Sequence, residues 1–207
     1  SLQASGRLRV EQLAELTGVS EVTIRRDLVD LESHGTLRRV PGGAARTVKD
    51  GQNVPYALRI AEDRDVKAML ATVVAGLIAD YESVIIDNGT TCHAVARELA
   101  GRPVTALCLS LHAAVALGSA PGARVIIPGG PVETDTLALR GSQAIDSVRS
   151  MQADVLVLGA CSASAARGLT STLYEDALIK RASIESSARR ILVTLADKLN
   201  RTSNFRF

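Results

Sequence analysis

The residues in this chain that are best suited to chemistry lie where a predicted buried strand gives way to a helix. Residues 84–86 form an apolar run, and the polar turn after it consists of Asp87, Asn88, Gly89, Thr90 and Thr91. Glycine lets a backbone approach a ligand closely, threonine supplies hydroxyl groups, and the free N–H groups of a helix start attract negative charge. The segment predicts a phosphate-binding loop. A tight structural turn would use the same residue types and is the alternative.

Further glycines and charged residues extend this candidate site. They are Gly129 and Gly130 after one apolar run, Glu175 and Lys180 in a helical pattern, and Asp197 and Lys198 after the last run. A lysine in the pocket would neutralise a phosphate, and the carboxylates of Asp87, Glu175 or Asp197 could accept hydrogen bonds from sugar hydroxyls. The structural alternatives are a solvated helix face for Lys180 and a surface pair for Asp197 and Lys198.

Alternating strands and helices must position these residues. Apolar runs that are typical of buried strands cover residues 84–86, 104–109, 124–127, 153–158 and 190–195. Helical patterns cover residues 92–99, 113–117, 143–148 and 173–189, and one longer helix is predicted over 58–81. This alternation predicts an α/β domain with a mainly parallel sheet and helices on both faces. In such sheets, ligands bind beyond the carboxyl ends of the strands.

The amino-terminal residues follow a different pattern. Val10, Leu13, Ala14 and Leu16 give one helix an apolar side, and Gly18 is a helix stop. Ser20 occupies the N-cap position of a second helix, which Gly35 ends. Its predicted buried stripe is Ile24, Leu28 and Leu31. Two short helices joined by a glycine turn predict a helix-turn-helix.

The remaining face of the second helix suits a DNA groove. Arg26 lies almost opposite Ile24, with Val22 beside it and Thr23 and Arg25 flanking. An arginine can donate two hydrogen bonds to guanine, and an apolar side chain can pack on a thymine methyl group. The alternatives are a helical subdomain without DNA binding and arginines that are merely solvated.

A basic hairpin follows the second helix. The segment 36–49 carries Arg38, Arg39, Arg46 and Lys49 but no acidic residue, and Pro41, Gly42 and Gly43 form its turn. These charges suit phosphates better than base edges. The hairpin therefore predicts the wing of a winged helix-turn-helix, an α+β module.

Composition favours a globular cytoplasmic protein. A net charge of +2 argues against a polycationic coat protein, and 46% hydrophobic residues are enough for a core. No run of 18 apolar residues predicts a membrane span. Cys92, Cys108 and Cys161 are widely spaced and odd in number, which favours reduced thiols without zinc-binding spacing. We expect no metal and no cofactor.

The segment 18–44 resembles the DNA-binding signature of DeoR-type bacterial transcriptional regulators. The residues that carry the resemblance are Val19, Ser20, 23–28, Leu31, Gly35, Arg38, Arg39, Gly42 and Gly43. Farther along, the turn 87–91, the glycine pair, Gly168–Thr170, Glu175 with Lys180, and Asp197 with Lys198 resemble the family's sensor domain. The resemblance covers nearly the whole chain.

The resemblance implies a DNA-reading domain over 1–46, a linker over 47–57 and a ribose-phosphate-isomerase-like sensing domain over 58–207. Members of this family usually have one further amino-terminal helix and a longer carboxyl end, so we expect both termini to be shortened here. The implied DNA-binding residues are Ser20, Val22, Thr23, Arg25, Arg26, Arg38, Arg39, Gly42 and Gly43. The implied effector is a phosphorylated sugar or related metabolite.

Two functions from different classes follow. The first is a sequence-specific DNA-binding regulator, a repressor of a sugar-catabolism operon that acts as a homodimer or homotetramer on double-stranded operator DNA and is not an enzyme. The second is a sugar-phosphate isomerase with an accessory helical module, because acids and lysines near a phosphate site permit proton transfer. The winged motif favours the first.

Overall fold

The structure is a computed structural model that describes residues 7–33, 37–46 and 54–207. The chain divides into two compact units, Ser1–Pro55 and Tyr56–Phe207. No helix in the described ranges is long and apolar enough to cross a membrane.

The first unit has two helices and a small antiparallel sheet. Its described elements are β1 (Arg7–Arg9), α1 (Val10–Thr17), α2 (Glu21–Ser33), β2 (Leu37–Val40) and β3 (Gly43–Arg46), and β3 is the central strand. Gly18 adopts φ 72° and closes α1, and the Oγ of Ser20 accepts a 3.3 Å hydrogen bond from the N–H of Thr23. The predicted helix-turn-helix and hairpin are confirmed.

The core of the first unit is small. It consists of Val10, Ile24, Leu28, Leu37 and Ala44, with Leu13 and Ala14 partly buried against it. The prediction that Leu31 belongs to the buried stripe is wrong, because it is 40% exposed, and Leu16 on the apolar side of α1 is 65% exposed. An apolar stripe wider than the surface that covers it leaves its outer residues in solvent.

The second unit is built on a five-stranded parallel sheet in the order β10-β7-β4-β5-β6. Its strands are β4 (Ser83–Ile86), β5 (Thr105–Cys108), β6 (Arg124–Ile126), β7 (Ala153–Gly159) and β10 (Ser187–Val193). A separate antiparallel sheet contains β8 (Ser162–Ser164), β9 (Gly168–Ser171) and β11 (Phe205–Arg206). The predicted α/β fold is confirmed, whereas the small antiparallel sheet was not anticipated.

Helices cover both faces of the parallel sheet. They are α3 (Tyr56–Ala61), α4 (Arg64–Gly76), α5 (Thr90–Glu98), α6 (Leu111–Leu117), α7 (Ser142–Arg149) and α8 (Tyr174–Glu185). Val84 and Ile86 belong to one buried cluster and Ile85 to the other. Successive strand residues point to opposite faces, so one short apolar run supplies both layers of the core.

Two predicted helix boundaries are wrong. The single helix expected over 58–81 is two helices, because Asp63 adopts φ 50° in the left-handed region and separates α3 from α4. The expected helix over 173–189 ends at Glu185, and β10 begins at Ser187 rather than Arg190. Arg189 and Arg190 are exposed strand residues, and their charge concealed the start of the strand.

The strand order reverses beside β4, and in open α/β sheets such a reversal leaves a crevice at the carboxyl ends of the strands. The chain proceeds from β4 through β5 to β6 on one side, and β7 and β10 lie on the other. Ligands of open α/β sheets bind at such a reversal point, beyond the carboxyl ends of the strands. Asp87 follows β4, and Gly159 ends β7, so both lie at this point.

Candidate functional site

The exposed face of α2 carries the predicted base-contacting residues. Val22 is 78% exposed, and Arg26 and Thr23 are also exposed. Arg25 donates to Glu21 at 3.1 Å across one helical turn. An exposed ion pair is weak, so this contact leaves Arg25 able to change partner. With Ile24 and Leu28 buried beneath it, α2 presents an arginine–valine surface to solvent.

The wing residues have distinct environments. Arg39 is exposed, and its N–H donates to the Oε1 of Glu32 at 2.9 Å, which ties β2 to α2. Gly42 adopts φ +76° in the hairpin turn. Gly43 is buried so close to β1 that a Cβ there would lie 2.1 Å from the carbonyl oxygen of Leu8. The side chains of Arg38 and Arg46, as well as Gly35 and Lys49, lie outside the described residues.

A buried cluster, the strand-end trio, consists of Asp87, Asp176 and Lys180. Their side chains are 1%, 4% and 3% exposed. The Nζ of Lys180 donates to the Oδ2 of Asp87 and, at 3.1 Å, to the carbonyl of Gly159, and it lies 3.8 Å from the Oδ2 of Asp176. The ammonium group is therefore enclosed by two carboxylates and a carbonyl oxygen.

Further hydrogen bonds hold both carboxylates in place. Asp87 accepts the N–H groups of Asn88 at 2.8 Å and Gly159 at 2.9 Å. Asp176 accepts the Ser171 hydroxyl at 2.7 Å and the Asn88 side-chain amide at 3.0 Å. The trio thus joins the ends of β4, β7 and β9 to α8.

Lys180 stabilises the ionised forms of both acids, although burial and the neighbouring Asp176 hold the pKa of Asp87 above its ordinary value. Burial acts to lower the pKa of Lys180, but Asp176 and Asp87 outweigh it and hold that pKa above its ordinary value. Burial acts to raise the pKa of Asp176, but Lys180 and the hydrogen bonds from Ser171 and Asn88 hold it below its ordinary value. Lys180 therefore remains charged, and its charge is balanced by the carboxylates of Asp87 and Asp176.

The predicted site residues divide into those near the trio and those elsewhere. Gly89 adopts φ 114° and precedes α5, whose first two residues are Thr90, which is buried, and Thr91, which is half-buried. A Cβ at Gly130 would lie 2.9 Å from the carbonyl of Arg140, and one at Gly129 would lie 3.6 Å from the Gln143 side chain. The glycine pair thus packs against the segment that leads into α7.

Glu175 and Asp197 are not part of the buried cluster. Glu175 is exposed, and the acid that contacts Lys180 is its neighbour Asp176. Asp197 lies in a short 3-10 helix (Ala196–Lys198) and pairs with Arg201 at 3.4 Å. Lys198 lies close enough to Lys67 to act on the pKa of that lysine.

Arg140 is a candidate site residue that sequence reasoning missed. Its guanidinium pairs with Glu133 at 2.9 Å, and its Nε is buried without a hydrogen-bond partner among the described residues. The N–H of Leu139 donates to the carbonyl of Leu109, so Arg140 lies just past the end of β5. Arg140 also helps to lower the pKa of Asp176, which places its charge beside the trio.

Together, a winged helix-turn-helix unit and an α/β unit with a polar crevice define a DNA-binding regulator with a sensing domain. Family profiles described as a DeoR-like helix-turn-helix domain and a DeoR C terminal sensor domain match residues 1–49 and 62–207. The chain belongs to the DeoR family of transcriptional regulators.

Several curated relatives are similar over nearly the whole chain. Transcriptional repressor AccR of Agrobacterium fabrum is 35% identical over 95% of this chain and 77% of its own length. The HTH-type transcriptional repressor GlcR of Bacillus subtilis is 30% identical over 100% and 80%. The glycerol-3-phosphate regulon repressor of Escherichia coli is 30% identical over 98% and 80%.

Among solved structures, the chain matches ribose 5-phosphate isomerase A of Methanocaldococcus jannaschii. It is 14% identical, with a TM-score of 0.48, over 67% of this chain and 55% of that chain.

Proposed function

We propose that this regulator is a cytoplasmic repressor of an operon for sugar or polyol-phosphate use and that a phosphorylated metabolite releases it from its operator. The observation that carries this proposal is the exposed arginine–valine face of α2 on one unit, together with a polar crevice at the reversal point of the parallel sheet on the other. The names of the relatives, which include a glycerol-3-phosphate regulon repressor, support the direction of control and the effector class.

The proposed DNA interface consists of α2 and the wing. Val22, Thr23 and Arg26 face base edges, Ser20 and Arg25 lie at the start of α2, and Arg38, Arg39, Gly42 and Gly43 bring the wing to the phosphates. Gly43 contributes by letting β1 pack on β3, since a Cβ there would collide with the carbonyl oxygen of Leu8. Phosphate contacts orient such a protein, and base contacts select its site.

Arg26→Ala tests this interface in the full chain. If Arg26 makes a bidentate base contact, operator affinity falls by about 1–3 kcal/mol, whereas affinity for unrelated DNA changes little. Arg149→Ala is the control, because Arg149 is an exposed arginine at the end of α7 in the other unit. An unchanged operator affinity in a gel-shift titration would overturn the placement.

For the effector we propose a site at the carboxyl ends of β4, β5 and β7. The N–H groups that follow Gly89, with Thr90 and Thr91, form the phosphate-facing loop beside the glycine pair Gly129 and Gly130. Lys180 positions Asp87 and Asp176 rather than neutralising the phosphate, because its ammonium is already enclosed. Arg140 brings a positive charge to this edge; it pairs with Glu133, but its buried Nε has no hydrogen-bond partner among the described residues and can donate to an acceptor.

Arg140→Gln and substrate turnover test the effector site. In wild-type protein, a phosphorylated sugar or polyol should lower operator affinity, and Arg140→Gln should weaken that response at least tenfold without changing operator binding in the absence of effector. We propose binding without turnover, so ribose 5-phosphate should be recovered unchanged. Isomerised product would favour the enzyme alternative, and an unaltered response in Arg140→Gln would remove this arginine from the site.

For the oligomer we propose a homodimer that pairs through α4. The exposed residues from 66 to 77 are Val66, Ala68, Met69, Thr72, Val73, Gly76 and Leu77, and none is charged. Met69 and Val73 are 69% and 64% exposed. Surface helices normally carry charge on their outer face, so a three-turn face without charge indicates an interface. A second copy fits because helix-turn-helix proteins read two half-sites as dimers.

Val73→Glu tests the dimer. A carboxylate at the centre of the face should shift the mass measured by light scattering from dimer to monomer and weaken operator binding. Val115→Glu is the matched control, because Val115 is 74% exposed on α6. Dimers that persist in Val73→Glu would place the interface elsewhere.

A further inference from the structure

A cavity lies in the second unit, and the strand-end trio is not part of its lining. It has a volume of about 390 Å³ and is bounded by α3, α4 and α5. Its lining residues include Arg64, Lys67, Thr90, His93, Arg97 and Glu98. Small-molecule sites in proteins have volumes in this range.

The charges that line this cavity, the α4 cavity, are mostly positive. Arg64, Lys67 and Arg97 face one acid, Glu98. Arg64 and Arg97 form no ion pair with any residue in the described ranges. Two arginines beside one opening, without carboxylate partners, are available to an anion.

Lys67 lies deeper in the cavity wall. It is only 5% exposed, and its ammonium donates to the backbone carbonyls of Arg59 and Glu62 at the end of α3. These two bonds use two of its three protons, and carbonyl oxygens carry no full charge. Lys67 therefore keeps a net positive charge and one further donor.

The surroundings of Lys67 include charges of both signs. Burial lowers the pKa of Lys67, Glu62 and Asp63 act to raise it, and Lys198 and Arg59 lower it further. Lys198 thus brings another positive charge to this region, although the sequence placed it with Lys180. The cations outnumber the acids around the cavity.

The remaining wall is small and apolar. Ile60, Ala61, Ala68, Ala71 and Ala94 give a surface that suits the carbon part of a compact metabolite. Thr90 supplies a hydroxyl that makes no hydrogen bond with the described residues. Arginine forks and a threonine hydroxyl are the donors that match the tetrahedral oxygens of phosphate.

We propose that the α4 cavity is a second anion site, which takes a small phosphate monoester between Arg64, Lys67 and Arg97. The site is separate from the proposed effector site at the strand ends but shares Thr90 with it. Tyr56, the first residue of α3, shares a 2.9 Å hydrogen bond with the Nδ1 of His93, so α3 is tied to α5 beside this cavity. An occupant of the cavity therefore touches α3, α4 and α5 together.

The test is calorimetric titration of the full chain with inorganic phosphate at pH 7.5. Wild-type protein should show a binding phase that the double substitution Arg64→Gln with Arg97→Gln weakens at least tenfold. The same phase should survive in Arg140→Gln, which affects the strand-end site. Ala68→Glu, which adds a carboxylate to the cavity wall and leaves both arginines in place, should also remove it.

The control for bulk charge is the double substitution Arg149→Gln with Arg167→Gln, since both arginines are exposed outside the cavity. Equal weakening in the control and the cavity variant would show non-specific attraction and overturn the proposal. Loss of all phosphate binding in Arg140→Gln would show that the strand-end site alone binds phosphate. That result would overturn the second site but would remain consistent with the proposed function. Absence of any phosphate binding by the wild-type protein would also overturn it.

Discussion

The strand-end trio and the α4 cavity each contain a lysine near the loop between β4 and α5, but Lys180 and Lys67 have different electrostatic surroundings. Lys180 lies between two buried carboxylates, and Lys67 lies against two carbonyls, beside arginines that have no carboxylate partner. In the trio, the charge is balanced within the fold. In the cavity, the positive charge is left open to solvent. A buried cation that is paired with carboxylates stabilises the fold, whereas a group of cations without carboxylate partners can bind an anionic ligand.

The difference follows from desolvation. Moving an ion out of water costs several kcal/mol, so the buried Lys180 depends on its two close carboxylates, whereas the ammonium of Lys67 is held by two carbonyl oxygens and burial lowers its pKa. Arg64 and Arg97 are exposed and carry no such requirement. They can remain unpaired in the free protein and release water when an anion arrives.

Lys180→Met should have the largest effect on stability. It leaves Asp87 and Asp176 buried without their cation, and breaking a buried pair in this way costs about 3–5 kcal/mol. Urea unfolding of the full chain, followed by far-UV circular dichroism, measures the loss in the second unit. Arg181→Met, at the exposed position next to it, is the control. An unchanged unfolding midpoint would mean that the trio does not hold the strand ends together.

Lys67→Met should have a smaller effect. It removes the two hydrogen bonds that the ammonium donates to the carbonyls of Arg59 and Glu62, and a hydrogen bond contributes about 0.5–1.5 kcal/mol to stability. The loss stays below that of Lys180→Met because carbonyls at the end of α3 can turn to water. The same urea titration checks the order of the two variants. A larger loss of unfolding free energy in Lys67→Met than in Lys180→Met would show that Lys67, rather than the trio, contributes more to the stability of the fold.

Sequence patterns predicted the trio only in part. The apolar run 84–86 predicted a buried strand that ends at Asp87, and a helical pattern predicted a helix that contains Lys180. Both predictions were possible because buried strands are apolar runs and polar residues mark their ends. The acid predicted on this helix was Glu175, five residues before Lys180, whereas the acid that lies beside Lys180 is Asp176, four residues before it and so on the same helix face. Helical spacing alone would have favoured Asp176.

The α4 cavity could not be read from the sequence. Its walls come from α3, α4 and α5, and α3 separates from α4 only because Asp63 takes a left-handed conformation. Asparagine and glycine adopt that conformation most readily, so an Asp in an otherwise helical stretch gave no clear break. Arg64 and Arg97 are 33 residues apart, and only tertiary packing places them on one cavity.

The arginines of the cavity should have almost no effect on stability. Arg64→Gln and Arg97→Gln each remove an exposed, unpaired charge, so the free energy of unfolding should change by no more than about 0.5 kcal/mol. Thermal unfolding of each variant in phosphate-free buffer checks this. In phosphate, the wild-type protein should melt at a higher temperature than either variant. A large loss in phosphate-free buffer would show that these arginines are structural, like Lys180.

The finest test uses His93, which lines the cavity. Burial lowers the pKa of its imidazole, and His112 and Arg97 lower it further. The folded protein therefore resists protonation that the unfolded chain accepts below about pH 6.5, and stability falls as the pH drops through that value. A bound anion offsets the charge of Arg97, so the pKa of His93 should rise when the cavity is filled.

Proton NMR of the histidine ring can follow that rise between pH 5 and 8, with sulfate as a probe because its charge is constant in this range. The His93 midpoint should move upward in sulfate, and the pH-dependent loss of stability should shrink with it. In the variant that carries Arg64→Gln and Arg97→Gln, the midpoint should start higher and respond little to sulfate. An equal sulfate shift in that variant would mean that the anion approaches His93 without these arginines. The proposed contrast between the charge-balanced trio and a cavity whose arginines bind an anion would then be wrong.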